Sequence, residues 1–185
     1  QVEQVAVPTS DPRWLAVCHA ATATMHSEAD AITVGHANRP TEGAAAVSVR
    51  RPGPLGNPLS MRRHGRLDER WRPALCDAFR WAFQAAMDEG DTSLEEIAVL
   101  HGLPPSSVLA DYGNMPWHAY ASAVRAAAQA LLARAADGER LCLTCTCHPQ
   151  RCHAATIVAW LREQIRRRPA VRECCTGDGG EEGRA

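Results

Sequence analysis

Arg140-Leu141-Cys142-Leu143-Thr144-Cys145-Thr146-Cys147-His148-Pro149-Gln150-Arg151-Cys152-His153 is the stretch on which the fold turns. Its first half is a short apolar run that reads as a strand over 140–146, because a loop with proline follows at once. Beyond it, Ile157, Trp160, Leu161 and Ile165 recur at helical spacing and predict a helix over 154–168. Between strand and helix lies Cys145-x-Cys147-x4-Cys152-His153. Such a density of thiols is more often explained by reactivity than by packing.

A second strand is predicted over 45–50, with Val47 and Val49 on one face, and it runs into Arg51-Pro52-Gly53-Pro54-Leu55-Gly56-Asn57-Pro58-Leu59, too rich in Pro and Gly for regular structure. Pro73 suits a first helical turn, and Leu75, Phe79, Ala82, Phe83 and Ala86 follow at helical spacing up to Gly90. Thr92-Ser93-Leu94-Glu95 has the form of a capping box opening a short helix that stops at Gly102. Trp117, Tyr120, Ala121, Val124, Ala128 and Leu131 define a longer helix. The order strand, helices, strand, helix predicts an α/β fold: a small open, mainly parallel sheet flanked by helices, with a Rossmann-like core. Ligands of such sheets bind beyond the carboxyl ends of the strands. The loops 51–59 and 145–153 each follow a strand and are therefore expected at one end of the sheet.

The domain is expected over 45–170, with a helical insertion around 91–136. Residues 1–44 read as a partly ordered extension in which 14–18 and 31–34 are short apolar runs and candidate strands, and 171–185 as a disordered tail. The 185 residues, 45% hydrophobic and 22% charged, suit one globular domain. A net charge of -1 creates no global field that demands nucleic acid or membrane. All 20 basic residues are arginine. The eight cysteines are clustered, and no signal peptide or membrane span is visible, which points to a reducing, intracellular, cytoplasmic setting. The chain begins at Gln1, so a targeting segment upstream of it stays open.

Side chains alternate along a strand, so Cys145 and Cys147 are expected on one face and Cys142 on the other. Three chemistries fit the remaining group. Cys145, Cys147, Cys152 and His153 are candidate ligands of a metal such as zinc. Three of the cysteines suffice for an iron–sulfur cluster with one open iron. Alternatively Cys147 or Cys152, beside His153, acts as a catalytic nucleophile. Cys152, at the start of the last helix and next to Arg151, is expected to be the most thiolate-like of them.

The two loops together resemble a known family. Arg51-Pro52-x3-Gly56-Asn57-Pro58-Leu59 resembles one signature of the family named domain of unknown function 4326, and Cys145-x-Cys147-x-Pro149-x2-Cys152-His153 resembles the other. Their order and the intervening helix agree over about residues 45–168. The resemblance implies a small α/β domain and brings no established reaction. Thr146 stands where the family has an aromatic residue, Leu59 where it has Phe, and Ala154-Ala155 where it often has an Asp. If that Asp serves as base or ligand, this copy lacks it.

In the first loop, Arg51 offers a bidentate guanidinium, Gly56 close backbone approach, and Asn57 both donor and acceptor. These three are candidate ligand-binding residues for a small anionic, nucleotide-like molecule. The dense run Arg50, Arg51, Arg62, Arg63, Arg66, Arg70 and Arg72 gives the alternative: a metal-stabilised module with an arginine-rich face for nucleic acid.

Overall fold

The computed structural model describes residues 30–60 and 69–168, together with the backbone of 62–63 and 66–67. The apolar run at 14–18 and the tail at 171–185 lie outside the described residues. Strands β1 (Ile32–His36), β2 (Ala45–Ser48) and β5 (Leu141–Cys145) form an all-parallel sheet in the order β1-β5-β2. Arg62–Arg63 (β3) and Arg66–Leu67 (β4) form a separate antiparallel pair. The helices are α1 (Arg72–Met87), α2 (Leu94–Leu100), the one-turn α3 (Ala110–Gly113), α4 (Trp117–Ala136) and α5 (Ala154–Arg167). The α/β class expected from element order is what the chain adopts.

The stretch 140–146 holds the centre of that sheet. β5 pairs on one side with β1, Ile32 opposite Leu141, and on the other with β2, Ala45 opposite Leu141. A strand paired on both edges and covered on both faces needs an unbroken apolar sequence, and all five of its residues are buried. Leu141, Leu143 and Cys145 belong to the main core with Phe79 and Phe83 of α1 and Ile157 and Leu161 of α5. Each large apolar side chain buried there contributes roughly 1.5–3 kcal/mol.

The other face of the sheet has a different cover. Residues 37–44 run back from the end of β1 to the start of β2. Thr41 donates its backbone N–H to Cys142 Sγ at 3.3 Å, and its hydroxyl meets that of Thr33 at 3.0 Å. Gly35 is glycine for a steric reason: a Cβ there would stand 2.5 Å from Cys142 Sγ and 3.4 Å from Arg39 O.

The candidate strand at 31–34 joins this sheet: β1 is hydrogen-bonded along β5, and Arg162 of α5 donates two bonds to Ile32 O, at 3.1 and 2.7 Å. The helices of 91–136 pack into the same core. Leu94, Ile97, Tyr120 and Val124 share one core with α1, so this long crossover supplies much of the hydrophobic interior. The capping box is real but one residue later than the Thr92 reading. Ser93 is the extended residue, its hydroxyl accepts from Glu96 N at 3.1 Å, and the Glu96 carboxylate accepts from Ser93 N at 3.0 Å.

Candidate metal centre

The two loops meet beyond the carboxyl ends of β2 and β5. A cavity of about 90 Å³ there is lined by Arg51 and Asn57 from one loop and Cys145, Cys147 and His153 from the other. Arg51–Pro52 and His148–Pro149 are both cis.

Cys145 is the last residue of β5 and points into the core with Leu141 and Leu143. The chain then turns, with Gln150 N donating to Cys147 O at 2.9 Å, and returns to enter α5. Cys152 Sγ accepts from Ala154 N at 3.4 Å, so the sulfur satisfies one of the free N–H groups at that helix start. His153 follows directly. Its ring packs edge-on against Phe79, with centroids 4.9 Å apart. Its Nε2 lies 2.8 Å from Val49 O, which can only accept, so Nε2 carries the proton and Nδ1 presents its lone pair. Nδ1 faces Cys145 Sγ at 3.9 Å and Cys152 Sγ at 4.0 Å. Cys145, Cys152 and His153, all buried, thus form a group able to hold a metal ion, with ligand atoms within 4.8 Å of one another.

Cys147 lies beside this group of three. It is half-buried, and its sulfur is within hydrogen-bonding reach of Cys145, Cys152 and Arg72. Cys142 lies on the opposite sheet face, as strand alternation requires.

The electrostatics overturn one expectation. The most thiolate-like cysteine is Cys147, not Cys152. Hydrogen bonds from Cys145 and then Cys152 pull the Cys147 thiol far below its usual range, Arg72 and His153 add to this, and burial opposes it. Cys152 is pushed up, first by its hydrogen bond with Cys145 and then by that with Cys147, and burial adds to it. Cys145 is raised chiefly because it is a donor to Cys147. Proximity to a helix start is a weaker effect than two thiol donors. Burial lowers the His153 pKa, partly offset by its bond to Val49 O, so the ring stays neutral at ordinary pH. For Arg72, burial works against the charge, but bonds to Glu69 and Cys147 outweigh it and raise its pKa.

The first loop uses its glycine and asparagine internally. A Cβ on Gly56 would be 2.8 Å from Arg51 N and 3.0 Å from Arg50 O, so glycine lets the loop fold onto itself. Asn57 Oδ1 accepts from Leu59 N at 2.9 Å and Nδ2 donates to Leu75 O at 3.3 Å. Nδ2 therefore braces the loop against α1 while Oδ1 holds the loop's own turn, and the residue also lines the cavity. Arg51 lines it too and makes no ion pair among the described residues. Sequence reasoning did not single out Arg72 as a site residue, nor the carbonyl of Val49. Arg72 was one of seven arginines in a run, and nothing in the sequence distinguishes it.

The family model for Domain of unknown function (DUF4326) matches residues 32–163. The chain belongs to this family. The match starts at the first residue of β1 and ends within α5, so it spans the whole parallel sheet and both loops of the site. No curated protein and no solved structure matches the chain. Among the described residues, no helix is long and apolar enough to cross a membrane.

Proposed function

We propose that this DUF4326 domain is a zinc-centred binding domain. In this reading Cys145, Cys147, Cys152 and His153 hold one ion, and the arginine-lined cavity beside it receives a small anionic ligand. The observation that carries the reading is the state of His153. Metal-bound histidine almost always donates its second ring N–H to a carbonyl or carboxylate, which fixes the tautomer. His153 has that arrangement, with Nδ1 turned towards two thiols.

The distances suit one tetrahedral ion. Bonds of about 2.3 Å to sulfur and about 2.0–2.1 Å to nitrogen put tetrahedral N···S separations at about 3.6 Å. Contraction by a few tenths of an ångström from 3.9 and 4.0 Å reaches that value. Three thiolates and one imidazole are a common structural zinc set. An iron–sulfur cluster spreads its cysteines over separate irons, so the close packing of the Cys145, Cys152 and His153 ligand atoms favours a single ion, with Cys147 as the proposed fourth ligand. Four protein ligands leave no open coordination position, so the thiols serve as ligands in this reading and not as nucleophiles.

The test is metal analysis of the purified full chain, followed by cobalt substitution. One metal per chain and the visible bands of a tetrahedral cobalt–thiolate site are expected, lost in Cys145→Ser and His153→Ala and kept in Cys142→Ala. A protein without metal, or one whose metal survives Cys145→Ser and Cys152→Ser together, refutes the reading.

A further inference from the structure

The cavity beside Cys147 has an unusual lining. Arg50, Arg51, Arg72 and Arg151 all contribute, and no carboxylate does. Two of these charges are partly spoken for. Arg72 pairs with Glu69 at 2.5 Å, and Arg151 pairs with Asp77. Arg50 and Arg51 make no ion pair among the described residues. Arg50 and Arg51 therefore leave positive charge at the cavity that no carboxylate in its lining offsets, and planar guanidinium forks match the oxygens of phosphate.

Size limits what this anion is. Pockets that take a whole drug-sized ligand run from roughly 300 to 1,000 Å³, whereas this one is about 90 Å³. At roughly 10–15 Å³ per water in the same measure, it admits a group of a few heavy atoms. A phosphate fits, and a nucleoside or sugar attached to it does not.

A second concavity adjoins the first. A groove of about 460 Å³ lies between α1, α5 and the loop 148–152, with Arg80, Gln150, Thr156 and Ala159 along it. Cys76 and Arg151 line both spaces. They form the ridge between them, tied by Cys76 Sγ–H donating to Arg151 O at 3.6 Å. The groove also has no carboxylate in its lining and falls within the size range that holds a sugar or nucleoside.

We infer that the domain binds a phosphate monoester in two parts: the phosphate between Arg50, Arg51 and Arg72, and the esterified body across the Arg151 ridge in the groove between α1 and α5. This deepens the reading of the site as a metal-centred anion binder and rests on it. The metal's part is to fix Cys147 and the loop, so that the thiolates do not compete with the phosphate for the arginines. Arg151, common to both spaces, sits where the ester oxygen passes from one to the other.

The experiment is isothermal titration of the metal-loaded full chain with inorganic phosphate, ribose 5-phosphate, AMP, UMP and phenyl phosphate, with adenosine as the body alone. At least one ester is expected to bind about tenfold or more tightly than phosphate, and adenosine not to bind. Arg51→Gln should weaken phosphate and ester alike by about tenfold, the loss of one charged bidentate contact. Ala159→Trp, which fills the groove from α5, should bring the best ester down to the affinity of phosphate and leave phosphate itself unchanged. Should Arg51→Gln fold poorly by circular dichroism, Arg50→Gln reads the same contact. Esters binding no better than phosphate, or unchanged by Ala159→Trp, overturn the two-part site. A chain that holds its metal but binds neither phosphate nor any ester overturns the inference and leaves the metal centre standing. A chain without metal overturns the metal centre itself.

Discussion

Gly35→Ala tests the sheet arrangement that decides which cysteines face the site. The Cβ it adds would stand 2.5 Å from Cys142 Sγ, 3.4 Å from Arg39 O and 3.5 Å from Pro40 Cα. Heavy atoms in apolar contact settle near 3.5–4.0 Å, so about 1 Å of movement is demanded. Cys142 is fully buried and held by the Thr41 N–H, so its sulfur cannot swing away freely. Overpacking of this kind costs about 1–3 kcal/mol. Cys142→Ala removes the obstructing atom. On its own it loses some buried volume and leaves the Thr41 N–H without its acceptor, at about 1–2 kcal/mol. In that background Gly35→Ala meets only ordinary contacts and restricts the unfolded chain, so it should be neutral or stabilising by up to about 1 kcal/mol. The double-mutant cycle, read by urea unfolding of the metal-loaded full chain, should therefore give a coupling of about 1–4 kcal/mol. Additivity within about 0.5 kcal/mol would refute the packing. Cys142 would then not lie against Gly35, and the exclusion of Cys142 from the ligand set would fall with it.

Four further outcomes follow from individual contacts. In metal-free protein at pH 6, iodoacetamide should label Cys147 well before Cys76: the lowered Cys147 pKa keeps its thiolate populated as pH falls, while burial raises that of Cys76. Equal labelling on peptide mapping would remove the charge from Cys147. Tyr112→Phe should cost about 1 kcal/mol, because its hydroxyl donates to Gly53 O at 3.2 Å and holds the arginine loop. Tyr120→Phe should instead be neutral or stabilising in the same unfolding assay, since its buried hydroxyl has no partner among the described residues. Ser93→Ala should destabilise by about 1 kcal/mol through loss of the α2 cap, a prediction that fails if Thr92→Ala does the same.

The parts of the fold legible in the sequence were those set by local pattern. The stretch 141–145 is uniformly apolar because it is the central strand, and α5 announces itself through Ile157, Leu161 and Ile165. The run 31–34 was legible as a candidate strand, but its place in the sheet was not: Gly35, which ends the run, is glycine because of Cys142, more than a hundred residues away. The cap of α2 was shifted by one because Thr92 and Ser93 are equally suited to it. Only the backbone decides, and Ser93 is the extended residue. At the site, residue type pointed to Cys145, Cys147, Cys152 and His153, and the topology brings them together with Arg51. The distribution of charge among the thiols was not legible, because it depends on sulfur–sulfur contacts made across a turn and on Arg72 arriving from α1. The backbone groups that Gly56 and Asn57 serve were not legible either, because they come together only when the loop is folded; Asn57 also lines the cavity.

The hydrogen bond between His153 Nε2 and Val49 O joins residues 104 apart in sequence, whereas the four proposed ligands span only 145–153. The proposed metal centre is therefore local in its ligands and distant in its clamp. Closing a nine-residue loop costs little entropy compared with bringing β2 to β5. An ion can thus gather the ligands while the sheet is still open, and docking of β2 then fixes the imidazole from behind. Assembly in this order would make such an ion a nucleus for the chain end that carries β5 and α5. Its release from the finished domain would then require either that β2 peel away from His153 or that Cys147, the one half-buried member of the proposed set, let go first.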